Sequence, residues 1–322
     1  MRIDVVLMVA ALVAAAMPAS AKQRVEVGPV ILIGGAGDQG LHNVRPAQDG
    51  GWLVAGATKA SGGNRDLAIW KLTPTLSLDT HFGDGGRVTL GSSADDQAAD
   101  IIERVDASGR VIGYLVAGQV GAGDRDFGNR GWHGKLDLAF IGLDAQGRLD
   151  PAFADRGVRL VGGSDDDEMV VHRENFSEPG LRLARSGTGF YVAAMTRSSN
   201  GDFPTASMIG SPAGRDALVL KIDASAHLDT AFAEHGVFRI GTEPQPDPAL
   251  REPNDFLFTV QALADGGVAA AGYTLGYSLR LAGATIPIAG NSVVHPQTAD
   301  CNGEDRDKFC YRMDGLLLRL NA

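Results

Sequence analysis

The sequence contains little of three things that many functional classes need: cysteine, positive charge and long apolar runs. Lys and Arg number 29 against 39 Asp and Glu, which gives a formal net charge of −10. An acidic protein repels phosphate groups, so nucleic acids and anionic membranes are poor partners. Cations and basic partners are better ones.

The longest apolar run, Val5 to Met17, is too short to span a bilayer as a permanent helix. Arg2 precedes it, Pro18 ends it, and Ala19-Ser20-Ala21 has the small-x-small pattern of a signal-peptidase site. We therefore expect residues 1–21 to be a cleaved signal peptide. Residues 22–322 would then form an exported protein, periplasmic or extracellular, without a membrane span. No cysteine follows the cleavage site, which argues against a lipid anchor there.

Cys301 and Cys310 are the only two cysteines and lie close together in the chain. In an exported protein, the expected state of such a pair is a disulfide. The alternative is a pair of metal thiolates. It finds little support, because the nearby His295 has no partner at zinc-finger spacing.

One sequence motif recurs along the chain. It consists of an apolar strand that begins with Asp, a turn, the pattern Leu-Asp-x-x-Phe, and a strand preceded by Gly. Its copies begin at Asp66, Asp137 and Asp216, and a shortened fourth begins at Asp314. The turn aspartates Asp79, Asp150 and Asp229 recur with it. Because both sets are periodic, we interpret them as structural carboxylates that accept backbone N–H groups in turns.

A hairpin precedes each copy, with turns such as Asp49-Gly50-Gly51 and Asp265-Gly266-Gly267 between alternating apolar runs. Each unit therefore has four short strands, A to D, which is typical of a propeller blade. The predicted fold is all-β: a small β-propeller of four four-stranded blades in a single domain. The approximate repeat boundaries are 40–91, 92–162, 163–241, and 242–322 together with 28–39.

These repeats resemble the delta-60 repeat family of bacterial β-propellers, and the resemblance covers essentially all of residues 22–322. The residues that carry it are the Asp-led strand, Leu-Asp-x-x-Phe and the following Gly. The resemblance implies a propeller fold and identifies no catalytic residue.

The fourth unit lacks its strand D. Gly28 to Ile33 aligns with Gly86 to Leu90, a strand D of the first unit. We therefore predict that Val30 to Ile33 pairs with Leu316 to Leu320, so that an N-terminal strand closes the last blade and hides the exposed edges. The alternative is an open array that closes by dimerising, and a monomer is favoured.

The long insertions of this sequence lie in the B–C and D–A connections, which share one face of a propeller. Loops on a rigid scaffold are where binding and catalysis concentrate. The alternative interpretation is neutral drift, since surface insertions cost little stability. The loops of this face are residues 119–136, 162–179, 196–215, 241–253 and 273–313.

The candidate ligand-binding residues are the non-periodic polar and aromatic residues of these loops. Histidine beside carboxylates can bind a transition metal or act as acid and base. Ordinary surface histidines are the alternative, since no serine elbow or zincin motif accompanies them. The residues are Trp132, His133, His172, Glu174 and His295.

An acidic loop next to the two cysteines contains Asp300, Asn302, Glu304 and Asp307. Oxygen-rich loops of this kind bind hard cations such as calcium. The spacing begins like an EF-hand loop but lacks its turn glycine and its final glutamate. A solvated acidic loop is the alternative.

Two functions agree with these observations. The leading hypothesis is a non-catalytic, exported binding module whose ligand is a protein, peptide or glycan. The rival is a hydrolase or lyase that acts on glycans or peptides through histidine and carboxylates of the same face. A histidine within hydrogen-bond reach of a carboxylate would favour the enzyme.

Overall fold

A computed structural model describes residues 30–33, 37–59, 63–169, 172–173, 176–177, 180, 182–203, 214–242, 254–274, 279–281, 284–285 and 314–321. The chain divides into two compact units, Met1–Leu32 and Ile33–Ala322. The second unit contains all the strands described below. In the described ranges, no helix is long and apolar enough to cross a membrane.

Four small antiparallel sheets arranged in a ring form a four-bladed β-propeller, as predicted. Sheets one and two have four strands each, connected in chain order. Their strands are β1 (Asp38–Pro46), β2 (Trp52–Lys59), β3 (Arg65–Leu72) and β4 (Arg87–Leu90), then β5 (Gln97–Val105), β6 (Val111–Val120), β7 (Asp137–Asp144) and β8 (Val158–Val161).

Sheet three repeats this order with additions, and sheet four has three described strands. Sheet three contains β12 (Leu183–Ser186), β13 (Gly189–Thr196), β14 (Asp216–Ile222) and β15 (Val237–Thr242), and the short strand β9 (Asp167–Glu168) pairs with β13. Strands β10 (His172–Arg173) and β11 (Phe176–Ser177) pair with each other in a separate two-stranded sheet. Sheet four contains β16 (Asp255–Ala262), β17 (Val268–Thr274) and β20 (Asp314–Leu320). The intervening strands β18 (Leu279–Leu281) and β19 (Ala284–Thr285) extend sheet three, because β18 pairs with β15.

The Leu-Asp-x-x-Phe part of the repeated sequence motif forms the turn between strands C and D. The carboxylates of Asp79, Asp150 and Asp229 each accept the backbone N–H two residues ahead, at 3.0 to 3.2 Å. The phenylalanine of each copy is buried. The following Gly86, Gly157 and Gly236 have φ of 98°, 97° and 93°, which glycine adopts without strain. These aspartates are structural, as predicted.

Each turn aspartate also pairs with a basic side chain, but the partner differs between sheets. Lys71 Nζ lies 2.6 Å from Asp79, and Lys221 Nζ lies 3.1 Å from Asp229. In sheet two, Gly142 replaces this lysine and the Phe153 side chain fills the space. The basic partner in sheet two is instead Arg104 from strand A, whose Nη1 lies 2.8 Å from Asp150.

Apolar side chains pack between successive sheets. One cluster joins sheets one and two, with Ile69 and Val116 among its members. Another joins sheets two and three, including Phe140 and Val192, and a third joins sheets three and four. Alternation along the inner strands sends neighbouring residues to opposite faces, so sheets two and three each contribute to two of these clusters.

The first strands of sheets one, two and three meet at the carboxylate of Asp100, which is fully buried. Arg45 binds it with two hydrogen bonds, from Nε at 2.8 Å and from Nη2 at 2.6 Å. Asn43 Nδ2 donates at 2.7 Å, and the Leu183 backbone N–H from sheet three donates at 2.9 Å. One side chain of sheet two therefore bonds to both neighbouring sheets.

The N-terminal segment differs from the prediction. Val30 to Ile33 forms no strand, and β20 pairs with β17, so the predicted pairing with Leu316–Leu320 is wrong for these residues. Val30 and Leu32 are 78% and 95% exposed. Ile33 instead packs against the apolar cluster of sheet one that contains Trp70 and Leu72. Alignment with strand D of the first unit suggested a strand here, but of these four residues only Ile33 packs against that cluster.

We expect Asp100→Ala to lower the free energy of unfolding by about 3–5 kcal/mol, because the largely buried Arg45 guanidinium would lose its partner. Urea unfolding followed by circular dichroism measures this loss. Arg110→Ala is the control, since Arg110 pairs with Asp106 while 77% exposed. Its midpoint should match that of the wild type. Equal losses in the two variants would contradict the role given to Asp100.

Candidate functional site

Only part of the predicted site lies within the described residues. Trp132 and His133 are described, and His172 lies in β10, where only its backbone is described. The remaining candidates lie outside the described residues: Glu174, His295, Asp300, Asn302, Glu304, Asp307, Cys301 and Cys310. The disulfide and the calcium site stay predictions.

The loop between β6 and β7 holds His133 in place. A 3₁₀ turn, Arg125–Phe127, puts the Phe127 side chain into the core. Trp132 packs against the cluster between sheets one and two. It lies so close to Gly123 that a side chain at position 123 would collide with it. The His133 N–H donates to Asp137 Oδ2 at 2.9 Å. These anchors leave the His133 side chain 32% exposed.

Two carboxylates flank the His133 imidazole. Its Nδ1 lies 3.5 Å from Asp137 Oδ2 and 3.9 Å from Asp202 Oδ2. Asp137 belongs to sheet two and is fully buried, whereas Asp202 comes from the B–C loop of sheet three and is 21% exposed. Arg159 lies 3.6 Å from the other oxygen of Asp202. We call His133, Asp137, Asp202 and Arg159 the junction crevice.

Asp202 has this position because its loop ties two sheets together. Its Oδ2 accepts the Gly162 N–H at 3.1 Å, and Asn200 Oδ1 accepts the Ser164 N–H at 2.8 Å. Both donors belong to the turn that follows sheet two.

The junction between sheets one and two has the same arrangement. Asp126 accepts the Gly91 N–H at 2.9 Å, and Asp124 accepts the Ser93 N–H at 2.7 Å. The two loops share the pattern Asp/Asn-x-Asp-Phe, and both phenylalanines, Phe127 and Phe203, are buried. Sequence reasoning missed this motif, although a comparison of the B–C loops with each other reveals it.

Buried carboxyl groups recur at the same junctions. Burial raises the pKa of Asp96 to about 7, against hydrogen bonds from Ser92 and Gly121. Burial raises the pKa of Asp167 to about 8, against hydrogen bonds from Thr196, Gly163 and Ser198. Burial also raises the pKa of Asp137, to about 6, against the N–H and imidazole of His133.

The junction crevice has some of the parts of an acid–base site. A buried carboxylate beside a half-exposed histidine can orient the ring and stabilise its charged form. In the described part of the chain, no three His, Cys, Asp or Glu side chains are grouped so that they could hold a metal ion. The geometry therefore favours hydrogen bonding or proton transfer over metal chemistry among these residues.

Comparison with known proteins leaves the family open. No protein-family model matches the chain, and no curated protein matches it. Functional inference therefore depends on the geometry of the junction crevice.

We expect Asp126→Ala to lower the free energy of unfolding by about 1 kcal/mol, because the Gly91 N–H would lose its acceptor. Asp126→Asn keeps an oxygen at the same place and should retain most of the stability. Urea midpoints of the three proteins measure the difference. Two variants equal to each other and below wild type would show that the charge matters, not the hydrogen bond.

Proposed function

We propose that this protein is an exported binding module that holds a peptide or glycan in the junction crevice. The observation that carries the proposal is the exposed His133 imidazole between carboxylates of two different sheets. Because the site combines residues of two blades, its geometry depends on how the ring holds those blades together. The resemblance to the delta-60 repeat family, the signal peptide and the export belong to the same proposal.

The charges at the crevice indicate the chemistry of the ligand. Asp202 supplies a partly exposed carboxylate with Arg159 3.6 Å away, and the neighbouring Asp165 is paired with Lys135 at 2.7 Å. His133 adds a group that can donate or accept a hydrogen bond. Hydroxyl groups fit this combination of donors and acceptors, and a basic group of a ligand would compete with Arg159 for Asp202, so we favour a glycan or a basic peptide as the ligand.

A binding measurement on histidine variants tests the proposal. The probes are lysine- and arginine-containing tripeptides and neutral oligosaccharides, titrated against the histidine ring signals in NMR spectra. We expect one probe class to shift the His133 ring signals, and His133→Ala to weaken binding at least tenfold, because the crevice would lose its exposed polar group.

His81→Ala is the matched control for this experiment. His81 also lies beside an aspartate, with Nδ1 3.4 Å from Asp79 Oδ1, but it is 96% exposed on the opposite face. The control should bind as the wild type does. Binding that survives His133→Ala, or that fails equally in His81→Ala, would contradict the proposed site.

A second candidate function is hydrolysis or elimination on the same ligands, favoured by the proximity of His133 and Asp137. Chromogenic glycosides and peptide anilides test it. An enzyme would lose turnover in Asp137→Asn, because the imidazole would lose its charged partner, while binding would change little. A binding module would show no turnover in either protein.

A further inference from the structure

Two buried carboxyl groups converge on Gly162, the residue after β8. A Cβ atom at this glycine would lie 2.5 Å from Asp137 Oδ1 and 3.0 Å from Asp167 Oδ2. Both aspartates are fully buried. The missing side chain of Gly162 therefore gives two carboxyl oxygens from different strands a shared space.

The hydrogen bonds around this pair leave one oxygen without a partner. Asp167 accepts from Thr196 Oγ1, from the Gly163 N–H at 2.7 Å and from Ser198 Oγ at 3.1 Å. Asp137 Oδ2 accepts from His133, but Asp137 Oδ1 is buried and has no hydrogen-bond partner among the residues that the structure describes. A buried carboxylate oxygen without a donor is costly. A proton held by Asp167 would supply the donor that Asp137 Oδ1 lacks, in the space that the two carboxyl groups share.

The equivalent aspartate of sheet three has a buried cationic partner that Asp137 of sheet two does not have. Asp216 begins β14 as Asp137 begins β7, and Arg239 Nε lies 2.6 Å from its carboxylate with both side chains buried. Arg239 is opposite Leu218, two residues after Asp216. The residue in the same register of sheet two is Leu160, opposite Ala139. Sheet two therefore lacks the buried cation that neutralises the aspartate of sheet three.

Other charged groups near the pair are already engaged. The His133 imidazole, from the B–C loop of sheet two, is the cationic candidate beside Asp137, at 3.5 Å. The other charged groups described near the pair have these partners: Arg159 with Asp202, Lys135 with Asp165, Arg215 with Glu168, Arg239 with Asp216 and the Ser198 carbonyl, and Arg197 close to Asp165 and Asp166.

We infer that Asp137 and Asp167 form a proton-binding site that holds one proton at neutral pH, in place of the arginine that serves sheet three. The proton bridges the start of strand C in sheet two and the start of the following unit. Its release at alkaline pH puts two negative charges in one buried space and weakens this junction.

The sign of the pH dependence follows from the direction of the pKa shifts. Burial raises the pKa of both groups, to about 6 for Asp137 and about 8 for Asp167. The folded protein therefore binds protons that the unfolded chain releases near its ordinary pKa, about 3.9. The contribution to stability is complete at acidic pH and is lost as pH rises through the folded-state values.

Carbon NMR on protein labelled at the aspartate carboxyl carbons tests the site directly, with signals assigned through Asp137→Asn and Asp167→Asn. We expect at least one of the two signals to titrate between pH 6 and 8. In each variant, the remaining aspartate should titrate at lower pH, because its charged neighbour is gone. If both carboxyl groups titrate near pH 4 in the wild type, the inference is wrong.

Urea unfolding between pH 5.5 and 9 tests the consequence for stability. The wild-type midpoint should fall as pH rises, whereas Asp137→Asn and Asp167→Asn should give flatter curves, since a neutral amide mimics the protonated acid. Asp155→Asn, at a 59% exposed side chain, is the control and should follow the wild type. In His133→Asn, the urea midpoint should still fall above pH 7. Curves for Asp137→Asn and Asp167→Asn that run parallel to the wild type would overturn the inference.

Discussion

The buried carboxylate of Asp100 is the contact on which the ring depends. Strand ladders pair most backbone groups within each sheet, so side chains must supply much of the contact between sheets. Asp100 joins them by accepting from Arg45 in sheet one and from the Leu183 N–H in sheet three. Removing it would leave a largely buried guanidinium unpaired, which is far more costly than losing a surface ion pair.

Equivalent aspartates of the repeat have different basic partners in different sheets. The turn aspartates pair with lysine in sheets one and three but with Arg104 in sheet two. The aspartate that opens strand C pairs with buried Arg239 in sheet three, whereas in sheet two it lies beside half-exposed His133. In sheet two, the aspartate that opens strand C thus has a partly exposed partner, and the proposed ligand site lies there.

Much of the fold could be predicted from the chain alone. The hairpin turns, the structural role of Asp79, Asp150 and Asp229, and the number of blades all follow from local patterns that repeat. The N-terminal strand was predicted from alignment with strand D of the first unit, a match too short to distinguish a strand from an irregular segment that packs through Ile33. The addition of β18 to sheet three was missed, because it joins residues from different repeats.

For the site, the sequence by itself determined that His133 lies in a loop of the B–C face, four residues before a periodic aspartate. It also determined that Asp137 begins a strand, because the repeat demands it. Only the tertiary structure decided that Asp202 and Asp167, from the next unit, approach the same place. Packing between sheets determines these distances, and no periodicity within one repeat encodes which side chains of two different repeats will meet.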